Sequence, residues 1–244
     1  MKNNKSLGQH WLKNREILDE IAALAGDGER CVEIGPGLGT LTSSLLKRFG
    51  QVVAVEYDAD LAKNLPKSFP GKNLEVINAN ILDFDFGEVE RPYAVVGNIP
   101  YYITSPIIEK VLTAENLPER VVLLIQKEVA ERIASEKETM LSLFVKNRAG
   151  VELGPVVGRA EFTPPPKVDS QVIILEPHVP KASEEVFGLI RRGFVAPRKK
   201  LVHNLAGVKS KEDLAQILME LGIDADARPG DLKLADWQRL YKRI

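Results

Sequence analysis

The chain has 244 residues, 44% of them hydrophobic, a formal net charge of −1 and a single cysteine. That size supports one large domain plus a small one; the lone Cys31 excludes a disulfide framework, and apolar runs such as Val121-Val122-Leu123-Leu124-Ile125 are too short to span a bilayer. The absence of disulfides points to a reducing cytoplasm, and no signal-peptide pattern is expected at the start. In chain order, the hydrophobic periodicity predicts an amphipathic helix from Arg15 to Ala25. Strands then follow at 31–34, 52–55, 74–77, 93–97 and 121–125, alternating with helices near 40–48, 59–65, 104–113 and 127–135. This alternation predicts an α/β fold with a parallel, doubly wound sheet. Val151–Val157 and Gln171–Leu175 read as antiparallel edge strands flanking the loop Phe162-Thr163-Pro164-Pro165-Pro166-Lys167. After Pro177-His178-Val179-Pro180 the pattern is wholly helical, which sets the expected domains at 1–180 and 181–244. Cys31 reads as a packed strand residue, and His10, His178 and His203 share no metal-ligand spacing, so no metal site is expected.

The chemistry concentrates at the ends of the strands. The first runs into Val32-Glu33-Ile34-Gly35-Pro36-Gly37-Leu38-Gly39-Thr40, where glycines permit a tight turn and a close approach of the backbone to a ligand. The spacing is Gly-x-Gly-x-Gly, not the Gly-x-Gly-x-x-Gly of dinucleotide folds. The second strand ends in Glu56, an acid placed to accept both hydroxyls of a ribose, so a nucleoside-bearing cofactor is implied. The strand at 93–97 ends in Asn98-Ile99-Pro100-Tyr101. Pro100 fixes its own φ and holds Ile99 extended, so an amide, backbone carbonyls and an aromatic face meet at one spot. That arrangement suits a planar base bearing an amino group, which donates to the Asn98 oxygen and to a carbonyl while Tyr101 stacks on the ring. Gly35, Glu56, Asn80 and Asn98 all fall at the carboxyl ends of strands, where doubly wound sheets bind ligands.

Charge is unevenly spread. Residues 1–15 hold Lys2, Lys5, Lys13 and Arg15 and no acid, and residues 181–244 hold 13 basic against 9 acidic residues, whereas 16–180 hold 16 against 25. A polyanion contacting the two ends is the reading this favours over plain solvated helix faces. Arg191-Arg192 and Arg198-Lys199-Lys200 form the densest cluster.

Taken together, Gly8-Gln9-His10-Trp11-Leu12, Glu33 to Gly39, Val55-Glu56-Tyr57-Asp58, Asn98 to Tyr101, Gln126-Lys127-Glu128-Val129-Ala130, Phe162 to Ser170 and Arg198-Lys199-Lys200 resemble the ribosomal RNA adenine dimethyltransferase family, in its small-subunit (KsgA-type) branch. The resemblance implies a Rossmann-like methyltransferase domain followed by a small helical domain that binds RNA through Arg191, Arg192, Arg198, Lys199 and Lys200. It implies S-adenosylmethionine as cofactor, held by His10, Leu12, Glu33, Gly35, Gly37, Glu56, Asn80 and Asn98. Asn80 stands where the family more often carries an Asp. Asn98 is the implied main catalytic residue with the turn Ile99-Pro100-Tyr101, and Tyr101 and Phe162 are expected to sandwich the target base. The implied reaction is dimethylation of the N6 amine of two adjacent adenosines near the 3′ end of small-subunit rRNA during ribosome biogenesis, by a monomer that needs no metal and no membrane.

Two alternatives come from neighbouring classes. One is a large-subunit adenine methyltransferase of the antibiotic-resistance type, which shares both central motifs; the string Phe162 to Ser170 and the short C-terminal domain lean away from it. The other is a non-catalytic ribosome-assembly or mitochondrial transcription factor on the same fold, against which the intact Glu33, Glu56 and Asn98 argue.

Overall fold

Continuous runs of Val, Ile and Leu are stable as strands only where both faces of a sheet are covered. In the computed structural model, which describes residues 9–244, a two-residue strand β1 (Trp11–Leu12) and helix α1 (Arg15–Leu24) precede five such strands. These are β2 (Gly28–Ile34), β3 (Phe49–Glu56), β4 (Leu74–Asn78), β5 (Tyr93–Asn98) and β6 (Arg120–Gln126). Helices α2 (Thr42–Leu45), α3 (Ala59–Asn64) and α4 (Thr104–Leu112) lie between them, and α5 (Lys127–Ala134) follows β6. Asn14 and Asp58 start α1 and α3 by accepting the first free backbone N–H groups. The helix expected over 40–48 shrinks to the single turn of α2, followed by tighter turns such as Arg48 N–H to the Leu45 carbonyl.

The chain continues through α6 (Met140–Arg148), β7 (Ala149–Val157), β8 (Phe162–Thr163) and β9 (Ser170–Pro177). The seven-stranded sheet has the order β4-β3-β2-β5-β6-β9-β7, with β2 to β6 parallel and β9 antiparallel to β6. The direction of winding therefore reverses between β2 and β5, the switch point at which such sheets bind ligands. Only β7 is an edge strand of the expected pair. β9 sits inside the sheet, and its Ser170–Leu175 stretch is buried throughout. β1 and β8 form a separate antiparallel ladder in which Trp11 faces Thr163 and Leu12 faces Phe162.

The chain divides into two compact units. The first holds the described residues to Glu131 together with Gly150–His178, and the second holds Arg132–Ala149 with Val179–Ile244. The segment 132–149, expected in the first domain, thus belongs with the second, where Leu143 of α6 joins its core. The other helices of that unit are α7 (Glu184–Gly193), α8 (Leu201–Asn204), α9 (Lys211–Glu220) and α10 (Leu234–Tyr241). Trp237 is fully buried among them, and it reaches so close to Gly193 that a Cβ there would stand 2.3 Å from the indole edge. Among the described residues no helix is long and apolar enough to cross a membrane, and no group of three or more His, Cys, Asp or Glu side chains is placed to hold a metal ion.

Candidate active site

The loops that leave β2, β3, β4 and β5 at their carboxyl ends surround one cavity of about 350 Å³. Its lining includes His10, Leu12, Glu33, Gly35, Gly37, Glu56, Asn80, Asn98, Ile99, Pro100 and Tyr101, so every cofactor and turn residue expected from the sequence converges there, whereas Phe162, expected to sandwich the base, does not. The glycine turn follows directly from β2. Gly35 and Gly37 take φ of +65° and +58°, a region that side chains with a Cβ rarely enter. At Gly37 space is short as well, since a Cβ would lie 3.2 Å from Trp11 Nε1.

Glu56, at the end of β3, is buried and tied to both neighbouring loops. Its Oε2 accepts the Gly37 N–H at 2.9 Å and its Oε1 the Asp58 N–H at 2.9 Å. Each oxygen keeps a second lone pair for a ligand hydroxyl. Burial raises its pKa above the usual carboxylate value, and the backbone donors at Asp58 and Gly37 oppose that rise. Glu33 is deeper. Its Oε2 has no hydrogen-bond partner, and burial pushes its carboxyl up to about 8; Thr42 beside it pulls the other way and Glu56 adds to the rise. The same burial, with Glu33 nearby, holds the Cys31 thiol well above its ordinary pKa, so this cysteine is an inert core residue. Asn80, after β4, lines the cavity half-buried, with its Oδ1 accepting the Leu82 N–H at 3.1 Å.

On the β5 side, Asn98 Nδ2 donates to the His10 carbonyl at 2.9 Å. A carbonyl can only accept, so the nitrogen must face it and the Asn98 oxygen points the other way. His10 is itself anchored, its Nδ1 lying 2.7 Å from the Pro164 carbonyl. Its ring stacks near-parallel to Tyr101, with centroids 6.1 Å apart and an interplanar angle of 23°. The Tyr101 hydroxyl is 2.7 Å from Ser170 Oγ, and its burial raises the phenol pKa, opposed by Ser170 and reinforced by Asp169. Pro100, at φ −61° and ψ 133°, starts a 3-10 turn that ends with the Ile103 N–H donating to its carbonyl.

Phe162 is not in the cavity. Paired with Leu12 across the β1–β8 ladder, it is 3% exposed and packs in the core with Leu12, Val157 and Val172. The strand's alternation sends its ring inward, and His10 is the ring that faces Tyr101. The basic cluster belongs to the second unit and lines no part of this cavity. There Arg191, Arg192, Arg198, Lys199 and Lys200 are all exposed; Arg191 pairs with Glu184 and Lys200 with Asp226, while among the described residues Arg192, Arg198 and Lys199 have no ion pair. Three contributors stood in the quoted motifs but were given no site role, namely Trp11, Ser170 and the rim residue Tyr57, and a fourth, Tyr102, was not singled out; Tyr57 and Tyr102 are each 64% exposed. Exposed tyrosines beside Glu56 and Tyr101 were the available signal for the last two.

A nucleoside-sized cavity at the switch point of a doubly wound sheet, with an acid after β3 and an oriented Asn-Pro-Tyr turn after β5, is the architecture of a Rossmann-like methyltransferase. The whole chain, residues 1–244, matches the family described as ribosomal RNA adenine dimethylase, and it belongs to that family of S-adenosylmethionine-dependent rRNA adenine dimethyltransferases. It is 38% identical over 251 residues to a ribosomal RNA small subunit methyltransferase A of Thermosynechococcus vestitus, with 97% of this chain and 94% of the relative covered. Among solved structures it is similar to a dimethyladenosine transferase from Plasmodium falciparum, at 27% identity and TM-score 0.80, with 95% of this chain and 96% of that chain covered. It is also similar to the 23S rRNA methyltransferase ErmE, at 28% identity and TM-score 0.79, with 96% and 99% covered.

Proposed function

We propose that this protein dimethylates the N6 amine of two adjacent adenosines near the 3′ end of small-subunit rRNA, as a cytoplasmic monomer acting during ribosome biogenesis. One observation carries the chemistry: the Asn98 nitrogen is committed to the His10 carbonyl, which leaves its oxygen free to accept, and Asn98 lines the cavity together with Tyr101. Similarity to small-subunit methyltransferases over nearly the full length favours the small-subunit target over the large-subunit one.

The residues present fit S-adenosylmethionine. Glu33 offers an unpartnered buried carboxyl oxygen suited to a cationic group, Glu56 has lone pairs for two ribose hydroxyls, Asn80 stands beside the place for an adenine amine, and the turn at Gly35 and Gly37 lets the backbone run close beneath. His10 and Leu12 close the same cavity from the N-terminal side. When bound, the cofactor supplies a methyl group on a sulfonium, already electrophilic. The protein's task is the adenine amine, whose lone pair is delocalised into the ring. Accepting its hydrogens on Asn98 Oδ1 and the Ile99 carbonyl favours a pyramidal nitrogen, which matches the transition state better than the planar ground state. Tyr101 stacks on the base, positions it and faces the positive charge that develops on nitrogen. Tyr102, exposed at the rim, is placed to stack on a neighbouring unpaired base. Arg191, Arg192, Arg198, Lys199 and Lys200 hold phosphates of the surrounding RNA.

The test is to incubate the protein with labelled S-adenosylmethionine and unmodified small or large ribosomal subunits, then digest the RNA and identify the labelled nucleoside. Dimethyladenosine in small-subunit RNA alone is the expected product. Label confined to large-subunit RNA overturns the proposal.

A further inference from the structure

The cavity contains a second unsatisfied polar group, at its N-terminal wall. Trp11 Nε1 is buried and has no hydrogen-bond partner, although Trp11 lines the cavity. A buried indole N–H normally finds an acceptor, and leaving one without a partner is costly. The β1–β8 ladder holds the ring in place, with Trp11 paired to Thr163, and its pyrrole edge lies over the Gly37 turn. Trp237 Nε1 is equally orphaned, but it is packed in the core of the second unit. What singles out Trp11 is that it lines the same cavity as Glu33, whose carboxyl oxygen is also without a partner.

A donor and an acidic acceptor, both buried and both unmatched, complement the one part of the cofactor that carries an anion and a cation side by side. The amino-acid end of S-adenosylmethionine has an α-carboxylate, which only accepts, and an α-ammonium, which only donates. With the ribose hydroxyls assigned to Glu56 and the adenine amine to Asn80, the carboxylate is the strongest acceptor still to be matched with a donor. We propose that the Trp11 indole N–H donates to this α-carboxylate. The inference rests on the cofactor assigned above, and it makes Trp11 a binding residue in its own right, beyond its packing against the glycine turn.

The test uses the full chain in a Trp237→Phe background, so that Trp11 is the only tryptophan of the two in the sequence. Affinities for S-adenosylhomocysteine, which keeps the carboxylate, and for decarboxylated S-adenosylmethionine, which lacks it, are measured by calorimetry and by Trp11 emission. Trp11→Phe then keeps the ring and deletes only the N–H. Affinity for S-adenosylhomocysteine should fall about tenfold or more, as expected for a hydrogen bond to a charged group, while affinity for the decarboxylated cofactor should change less than twofold. The melting temperature of the free protein should not fall, because the substitution removes an unsatisfied donor. Equal weakening of both ligands would show that the ring acts by packing and would overturn the proposal, as would unchanged affinity for both, which would mean that solvent satisfies the N–H. If the parent protein bound neither ligand, the cofactor assignment itself would fall, and this inference with it.

Discussion

Two buried glutamates, one in each unit, show how differently the same side chain can be used. Glu138 in the second unit is 5% exposed and fully engaged: Lys146 Nζ donates to both carboxylate oxygens at 2.9 and 3.0 Å, and Ser142 Oγ donates to Oε2 at 2.6 Å. Glu33 in the first unit is 1% exposed, keeps one oxygen without a partner and faces a cavity. A buried charge that is fully paired holds a structure together, whereas a buried carboxyl with an unmatched oxygen at a cavity wall costs stability and leaves an atom for a ligand to engage. The contrast extends beyond this pair: Glu56, Asn80 and Asn98 of the first unit gather at strand ends around the cavity, whereas Arg191 and Lys200 of the second unit pair with acids at its surface.

The largest effects should come from reversing this contrast. Glu33 titrates near 8 when folded against 4.5 when exposed. Below the lower value both states are protonated and the group costs nothing; between the two values stability falls as pH rises, and above the higher one the full cost is present. Glu33→Gln should therefore stabilise the cofactor-free protein near pH 8.5, on the order of 3–5 kcal/mol, and change nothing near pH 4. It should at the same time weaken cofactor binding. A melting-temperature gain independent of pH would remove the buried ionisable carboxyl from the explanation. Glu138→Ala should do the opposite and destabilise by about 3 kcal/mol, because it leaves the Lys146 charge without its partner. Denaturant titration showing less than about 1 kcal/mol would demote that network to the level of a surface pair.

Asn98→Ala should reduce methyl transfer in a single-turnover assay by about 10²-fold or more, comparable to removing one oriented polar group from a reacting centre. Binding of S-adenosylhomocysteine, followed by calorimetry, should stay nearly intact. Parallel loss of both would mean that the Asn98 bond to His10 matters only for holding the N-terminal segment. The smallest effect on the folded state is expected from Arg198, Lys199 and Lys200 changed together to Ala. Exposed charges contribute little to folding, so the melting temperature should hold. The dependence of log affinity for ribosomal RNA on log salt should flatten by about 0.7–0.9 for each phosphate that is no longer neutralised. An unaltered slope would leave the cluster an ordinary solvated helix face.

The five parallel strands were legible because each is a continuous apolar run bounded by turn chemistry, a property of neighbours in sequence. For the same reason the convergence of Gly35, Glu56, Asn80 and Asn98 on one cavity could be read in advance, since a parallel sheet puts all its carboxyl ends on one side. The sequence by itself thus determined the α/β order, the side of the sheet that holds the site and the residue types available there. Only the tertiary structure decided the rest. Antiparallel pairing with β6 placed β9 inside the sheet, and pairing of Leu12 with Phe162 turned that ring into the core and left His10 opposite Tyr101. Packing of α6 drew 132–149 into the second unit. Each of these depends on a partner tens of residues or more away in the chain. So do the unmatched groups of Glu33 and Trp11, because whether a buried polar atom has a partner is settled only when distant segments close around it.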